Sequence, residues 1–169
     1  MLDNISETRL GEIALQLAAL VRQMAQQLEV EGIVIRVTQS LRPWSEQEAL
    51  YAQGRTAPGP IVTNAQAGSS WHNFGLAVDV APFVESVPDW NMGHPVWGRI
   101  VSVGDSLGLV SGSEWRTFPD WPHFQYTGRF GVTPSDEVRA IFKSGGLQAV
   151  WDSAFGNGNR DAVADASAD

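Results

Sequence analysis

His72 and Asp79 stand seven positions apart in Ser-Ser-Trp-His-Asn-Phe-Gly-Leu-Ala-Val-Asp (residues 69–79), with Gly75 between them. On a straight strand that offset places the two side chains on opposite faces, but a glycine turn can bring the imidazole back beside the carboxylate. His123 stands in Phe-Pro-Asp-Trp-Pro-His-Phe-Gln (118–125), three residues after Asp120. Two histidines and one carboxylate from neighbouring strands make a three-ligand zinc site whose fourth position is open to water, the arrangement of catalytic zinc. Such a water has its pKa brought toward neutrality, and hydrolysis also needs a base that returns the proton to the leaving amine. Asp120, the nearest unassigned carboxylate in sequence, is the candidate.

A plainer meaning stands beside this one. A lone His-x6-Asp pair is more often a satisfied polar pair in a turn than a ligand pair. Asp120 reads equally as a strand-entry residue, and Arg42 as a solvated charge before Pro43. Both segments occur, however, in a chain with three histidines and no cysteine, so a metal here must be held by histidine and carboxylate. His94, the third histidine, has no assigned role.

The elements that must position these residues follow from periodicity. Ile13, Leu17, Leu20, Val21, Met24 and Leu28 recur at helical steps, predicting an amphipathic helix that begins near Ser6, spans about 6–30 and ends at Gly32. A β-branched strand follows at 33–38. A second helix runs from Ser45, with Ser45 and Glu48 forming its cap, to Gly54. Residues 55–70 form a long loop, and loops of that length inside a compact domain are usually functional. Leu76 to Ala81 alternates as a strand closed by Pro82, a helix with Trp97, Ile100, Val101 and Leu107 inward covers 96–107, an aromatic strand covers 118–126, and Ser135 caps a last helix to Phe142. Beyond Trp151 the composition changes to a polar tail.

The predicted fold class is therefore α+β: a small antiparallel sheet carrying the site, backed by the helices at 13–28 and 96–107. The 169 residues, 43% apolar and 18% charged, suit one domain over 1–150 with a disordered tail at 152–169. A net charge of −8 argues against nucleic acid as a partner, and no apolar run is long enough to span a membrane. The N-terminal Met-Leu-Asp-Asn-Ile-Ser-Glu-Thr-Arg-Leu has neither a basic region nor an apolar core, so the expectation is a protein without a signal peptide, made in the cytoplasm.

Ser70, His72, Gly75, Ala77 and Asp79 match in full the pattern Ser-x-His-x-x-Gly-x-Ala-x-Asp, and Asp120 and His123 match a later acidic-x-x-His element. In these the chain resembles the zinc peptidases of bacterial cell walls: D-alanyl-D-alanine carboxypeptidases, dipeptidases and phage endolysins that cleave L-alanyl-D-glutamate bonds. Gln39-Ser40-Leu41-Arg42-Pro43, residues 46–56, residues 61–65 and Trp115-x-x-Phe118-x-Asp120-x-Pro122-His123-Phe124 resemble the endolysin branch in particular. One departure is Val110-Ser111-Gly112-Ser113-Glu114, where that branch has a more glycine-rich turn.

The resemblance implies a DD-peptidase/Hedgehog-like fold and one zinc ion on His72, Asp79 and His123, with Asp120 as general base. It implies Arg42 facing the scissile carbonyl, and Ser70, Gln39 and Arg55 on the substrate side. It implies cleavage of the peptidoglycan stem peptide at the L-Ala-D-Glu bond, as a phage-type endolysin that acts on the wall and reaches it with the help of a holin-type partner, without stable membrane insertion. The alternatives are a D-Ala-D-Ala carboxypeptidase of the same fold, a cell-wall-binding module without turnover, and a metal-free α+β protein.

Overall fold

The computed structural model describes residues 1–84 and 87–156. These form the helices α1 (Asn4–Leu10), α2 (Leu15–Val30), α3 (Trp44–Ala52), α4 (Pro95–Ser106) and α5 (Asp136–Phe155), and the strands β1 (Ile35–Gln39), β2 (Ala77–Val84), β3 (Val87–Pro88), β4 (Val110–Gly112) and β5 (Asp120–Gln125). The strands make one antiparallel sheet in the order β1-β2-β5-β4, with β3 paired to the end of β2. The class is α+β, as the sequence predicts.

The expected first helix is two. Asp3 caps α1 by accepting from the Ser6 N–H, and a turn through Gly11 separates α1 from α2. The break frees α1 to lie along the outer edge of β1. There the buried Ser6 Oγ accepts from the Val37 N–H and Arg9 donates to the Val37 carbonyl, so groups that an edge strand would leave unpaired are satisfied. α2 carries the predicted stripe, Leu17, Val21, Met24 and Leu28, into a core shared with Ile100 and Val103 of α4 and with Val37, Val78, Val80 and Phe124 of the sheet.

Three further expectations need correction. Ser45 does not cap α3: the capping position is Pro43, two residues earlier, the helix begins at Trp44, and there is no side-chain cap. Pro82 does not close β2, which continues to Val84. β5 pairs with β2 only as far as Asp79, and beyond it the Phe83 N–H donates to the Val34 carbonyl while the Pro82 carbonyl accepts the Asp89 N–H next to β3, so the strand continues past the proline. The last helix, capped by Ser135 as expected, does not end at Phe142 but kinks at Gly146 and runs on to Phe155. Its second half packs Val150, Trp151 and Ala154 against Trp71, Phe74 and Leu76, so residues 152–155 of the expected tail are helical and Ala154 and Phe155 join this second core. Residues 157–169 lie outside the described residues. No helix among the described residues is long and apolar enough to cross a membrane.

Candidate metal centre and substrate groove

β2 and β5 place two of the three predicted ligands by register alone. Asp79 and His123 are direct partners across the antiparallel pair, so their side chains rise from the same face of the sheet. His72 arrives from a short 3-10 turn, Trp71–Phe74, that precedes β2. Gly75 follows it in the left-handed region (φ 63°), and the Leu76 N–H closes the turn on the Trp71 carbonyl. Trp71 and Phe74 are buried on either side of the histidine and root the turn in the second core. Ser70, the residue before the turn, accepts the His72 N–H.

The three side chains converge. His72 Nε2 lies 3.1 Å from Asp79 Oδ1 and 3.2 Å from His123 Nδ1, and His123 Nδ1 lies 3.5 Å from Asp79 Oδ1. Ligands about 2.0–2.1 Å from a tetrahedral ion stand roughly 3.3 Å from one another, so these separations fit zinc without rearrangement. Among the described residues this is the one group of histidines and carboxylates that could hold a metal ion.

Hydrogen bonds on the outer sides of both rings decide what their inner nitrogens can do. His72 Nδ1 faces the Ser40 carbonyl at 2.8 Å and must donate to it, which leaves Nε2 as the ring's free nitrogen. His123 Nε2 faces Gln125 Oε1 at 3.0 Å, and Gln125 is oriented by donating its own amide N–H to the Val132 carbonyl. His123 Nε2 therefore donates, and Nδ1 points inward. Two inward nitrogens and a carboxylate oxygen form a donor set that only a cation or shared protons can reconcile. Burial would push the Asp79 carboxyl up, but the neighbouring His72 and His123 outweigh it and hold the carboxylate ionised, far below its ordinary range.

Arg42 completes the floor. Its Nη2 sits 3.4 Å from Asp79 Oδ2, the oxygen turned away from the histidines, and its Nη1 donates to the buried Gln47. Its backbone is bound into the histidine turn, N–H to the His72 carbonyl and carbonyl to the Asn73 side chain. Asp120, at the head of β5, lines the same groove. Burial first and the Asp79 charge second raise its carboxyl above the ordinary value.

The groove encloses about 750 Å³ between the 62–65 segment, the Trp115–Phe118 segment and the 132–134 segment with Arg139 of α5. Arg42, Ser70, His72, Asp79, Asp120 and His123 all line it. Gln39 and Arg55 do not. Gln39 donates to Glu46, and Arg55 holds the Tyr51 and Thr63 carbonyls and the Asn64 side chain, bracing the 62–65 wall from behind. His94 finds a structural use: its Nδ1 accepts the Val96 N–H and caps α4.

Several residues around the centre went unassigned in the sequence. Gln125 and Ser40 orient the two histidines from outside, and Gln47 ties Arg42 to the Ala65 carbonyl of the groove wall. Trp115 packs its ring 4.8 Å from that of His123. The only signal for Gln125 was its position two residues after a ligand on a strand, which puts both side chains on one face. Where a glycine-rich turn was expected, β4 supplies Gly112, packed on Asp120: a Cβ there would meet the Asp120 carbonyl at 2.7 Å.

Two family models, both described as D-alanyl-D-alanine carboxypeptidase, match residues 12–91 and 63–126. The peptidoglycan L-alanyl-D-glutamate endopeptidase CwlK of Bacillus subtilis is 38% identical over 103 residues, 56% of this chain and 62% of that protein. The chain thus spans less than two thirds of that relative's length. Of solved structures, the L-Ala D-Glu endopeptidase ChiX of Serratia marcescens matches with a TM-score of 0.55 at 23% identity, over 75% of this chain and 90% of that one. A mutant of the vancomycin-resistance D,D-pentapeptidase VanY in complex with Zn(II) matches with a TM-score of 0.55 at 16% identity, over 80% of each chain. These structural likenesses establish the fold. The sequence matches to the two D-alanyl-D-alanine carboxypeptidase models together extend from residue 12 to residue 126, and each covers less than half of the chain.

Proposed function

We propose that the protein is a zinc peptidase of bacterial peptidoglycan that hydrolyses the stem peptide between L-alanine and D-glutamate. The choice of bond rests on the 38% identity to an L-alanyl-D-glutamate endopeptidase. The observation that carries hydrolysis is the placement of Asp120, a carboxyl of raised pKa on the wall of the groove into which His72, Asp79 and His123 aim their ligating atoms.

When bound there, zinc lowers the pKa of a water toward neutrality and polarises a carbonyl. Asp120 takes a proton from the attacking water on a carboxylate oxygen. It then delivers that proton to the nitrogen of the departing D-glutamate as the C–N bond breaks. A raised pKa suits both halves of this task, since the same group must accept and then give. Arg42, held by Gln47 and Asp79, offers a fixed cation at the groove floor to the negative charge developing on the scissile oxygen.

A D-Ala-D-Ala carboxypeptidase is the second reading, favoured by the description of both family models. A wall-binding module without turnover has no chemical need for Asp120 beside the metal ligands. Mass spectrometry of products released from purified sacculi, with and without chelator, separates the three. Chelator-sensitive appearance of a free D-glutamate amine supports the endopeptidase, release of D-alanine replaces it with the carboxypeptidase, and no product from zinc-loaded protein leaves the binding module.

The proposal extends to a phage-type lytic role in which a holin-type partner gives access to the wall. Expression in a bacterial cytoplasm should then be harmless until a membrane-permeabilising protein is co-expressed. Lysis without one would overturn that part.

A further inference from the structure

Four charged side chains other than histidine line the groove: Asp79, Asp120, Arg42 and Arg139. The two carboxylates and two guanidinium groups cancel, so a divalent cation on the histidines leaves the groove positive within a chain of net charge −8. Arg42 is committed to Gln47 and Asp79. Arg139 is placed differently. Its Nη1 donates to the Gly68 carbonyl at 3.0 Å and the Pro134 carbonyl at 3.1 Å, which fix the guanidinium at the groove wall without neutralising it. The carboxylate it meets is Asp136, three residues earlier on α5, whose side chain is fully exposed. An ion pair so open to solvent is weak and exchangeable.

We propose that Arg139 is the specificity residue of this groove and binds a carboxylate of the substrate next to the scissile bond. This rests on the functional reading above. In a stem peptide whose D-glutamate continues the chain through its side-chain carboxyl, the α-carboxylate stays free, one residue from the bond that is cut. A planar guanidinium fixed by two carbonyls is suited to such a group. The residue lies on α5, beyond residue 126 where the family matches end, so it can set the preference of this protein without altering the shared metal centre.

The test pairs a substrate change with a protein change. Zinc-loaded wild type and Arg139→Gln are each assayed on two synthetic stem peptides that differ only in carrying D-glutamate or its α-amide, D-isoglutamine. Loss of a charge-assisted hydrogen bond is worth roughly 10- to 100-fold. Wild type should lose that factor on amidation, mainly in KM, whereas R139Q should cleave the two peptides alike; Arg139→Lys should recover part of the preference. A merely structural role for Arg139 slows R139Q on both peptides and keeps the wild-type preference for the acid, and that result overturns the proposal. So does a wild type indifferent to amidation. If zinc-loaded wild type cuts neither peptide at L-Ala-D-Glu, the functional reading itself fails and this inference with it.

Discussion

His72 Nε2 and His123 Nδ1 face each other at 3.2 Å, each ring fixed from behind by an acceptor that claims its other nitrogen. Without a cation, the pair can sit this close only by sharing a proton, and Asp79 supplies the negative charge that keeps it there. Burial works against a charge on His123, but the hydrogen bond and charge of Asp79 outweigh it and raise its pKa.

Zinc must therefore displace a proton from this pair, and its affinity should climb as pH rises toward the raised pKa of His123 and level off above it. One displaced proton corresponds to about a tenfold gain per pH unit below that pKa. Calorimetric titration of chelator-treated protein with zinc, repeated in buffers of different ionisation heat, reads the proton directly. Affinity independent of pH would mean that the inward nitrogens do not bind the ion.

Asp120→Asn separates chemistry from stability. Activity should fall by roughly 10²- to 10⁴-fold with zinc retained, as for loss of a general acid–base group. In the metal-free protein, the folded state holds the Asp120 proton more tightly than the unfolded chain does, because burial and Asp79 raise its pKa. Stability is thus lost as pH rises from about 3.9, the ordinary carboxyl value, through the raised folded value. Metal-free D120N should accordingly melt above wild type at neutral pH, the two curves converging below about pH 4. A variant that melts lower at neutral pH would contradict this account of Asp120.

The chemistry of the site was more legible than its geometry. Ligand identities survive in sequence because few residue types bind zinc and this chain has three histidines. The sheet and the α2 stripe were legible for a related reason, since burial on one face imposes a period. What escaped were features set by contacts far apart in the chain. The break between α1 and α2 makes sense only once Ser6 meets Val37 on β1, and α5 continues past its Gly146 kink because Trp71, Phe74 and Leu76 need a cover. The resemblance put Arg55 and Gln39 on the substrate side, whereas in the structure Gln39 donates to Glu46 and Arg55 to the Tyr51 and Thr63 carbonyls and the Asn64 side chain, and neither lines the groove.

Gln125 holds His123 from behind and is itself held by Val132. Removing such an outer partner typically costs 10- to 100-fold in metal affinity. Gln125→Leu should lose about that much, whereas Gln125→Glu, which keeps an acceptor for Nε2, should lose less. Competition against a chromophoric chelator measures both. Equal losses would show that packing at this buried position, rather than the hydrogen bond, governs the histidine.

Gly112 and Gly75 support opposite halves of the centre for different reasons. Gly75 sits at positive φ, and a Cβ there would stand 3.0 Å from the Trp151 ring and 3.4 Å from the Ile13 backbone, so Gly75→Ala strains the backbone by roughly 1–2 kcal/mol and loosens the His72 turn. Gly112 needs no special φ. A Cβ there would instead press on β5, 2.7 Å from the Asp120 carbonyl and 3.1 Å from the His123 Cβ. That contact is with backbone, so the strand itself must move, at a cost of about 1–3 kcal/mol for overpacking. The movement carries the base and one ligand away from Asp79 and His72, which stay on β2 and its turn. Gly112→Ala should therefore cost more in zinc affinity and turnover than in melting temperature, and G75A the reverse. Measuring Tm, zinc affinity and kcat for the two variants side by side checks this, and parallel losses in all three for G112A would show that β4 supports the fold rather than the site.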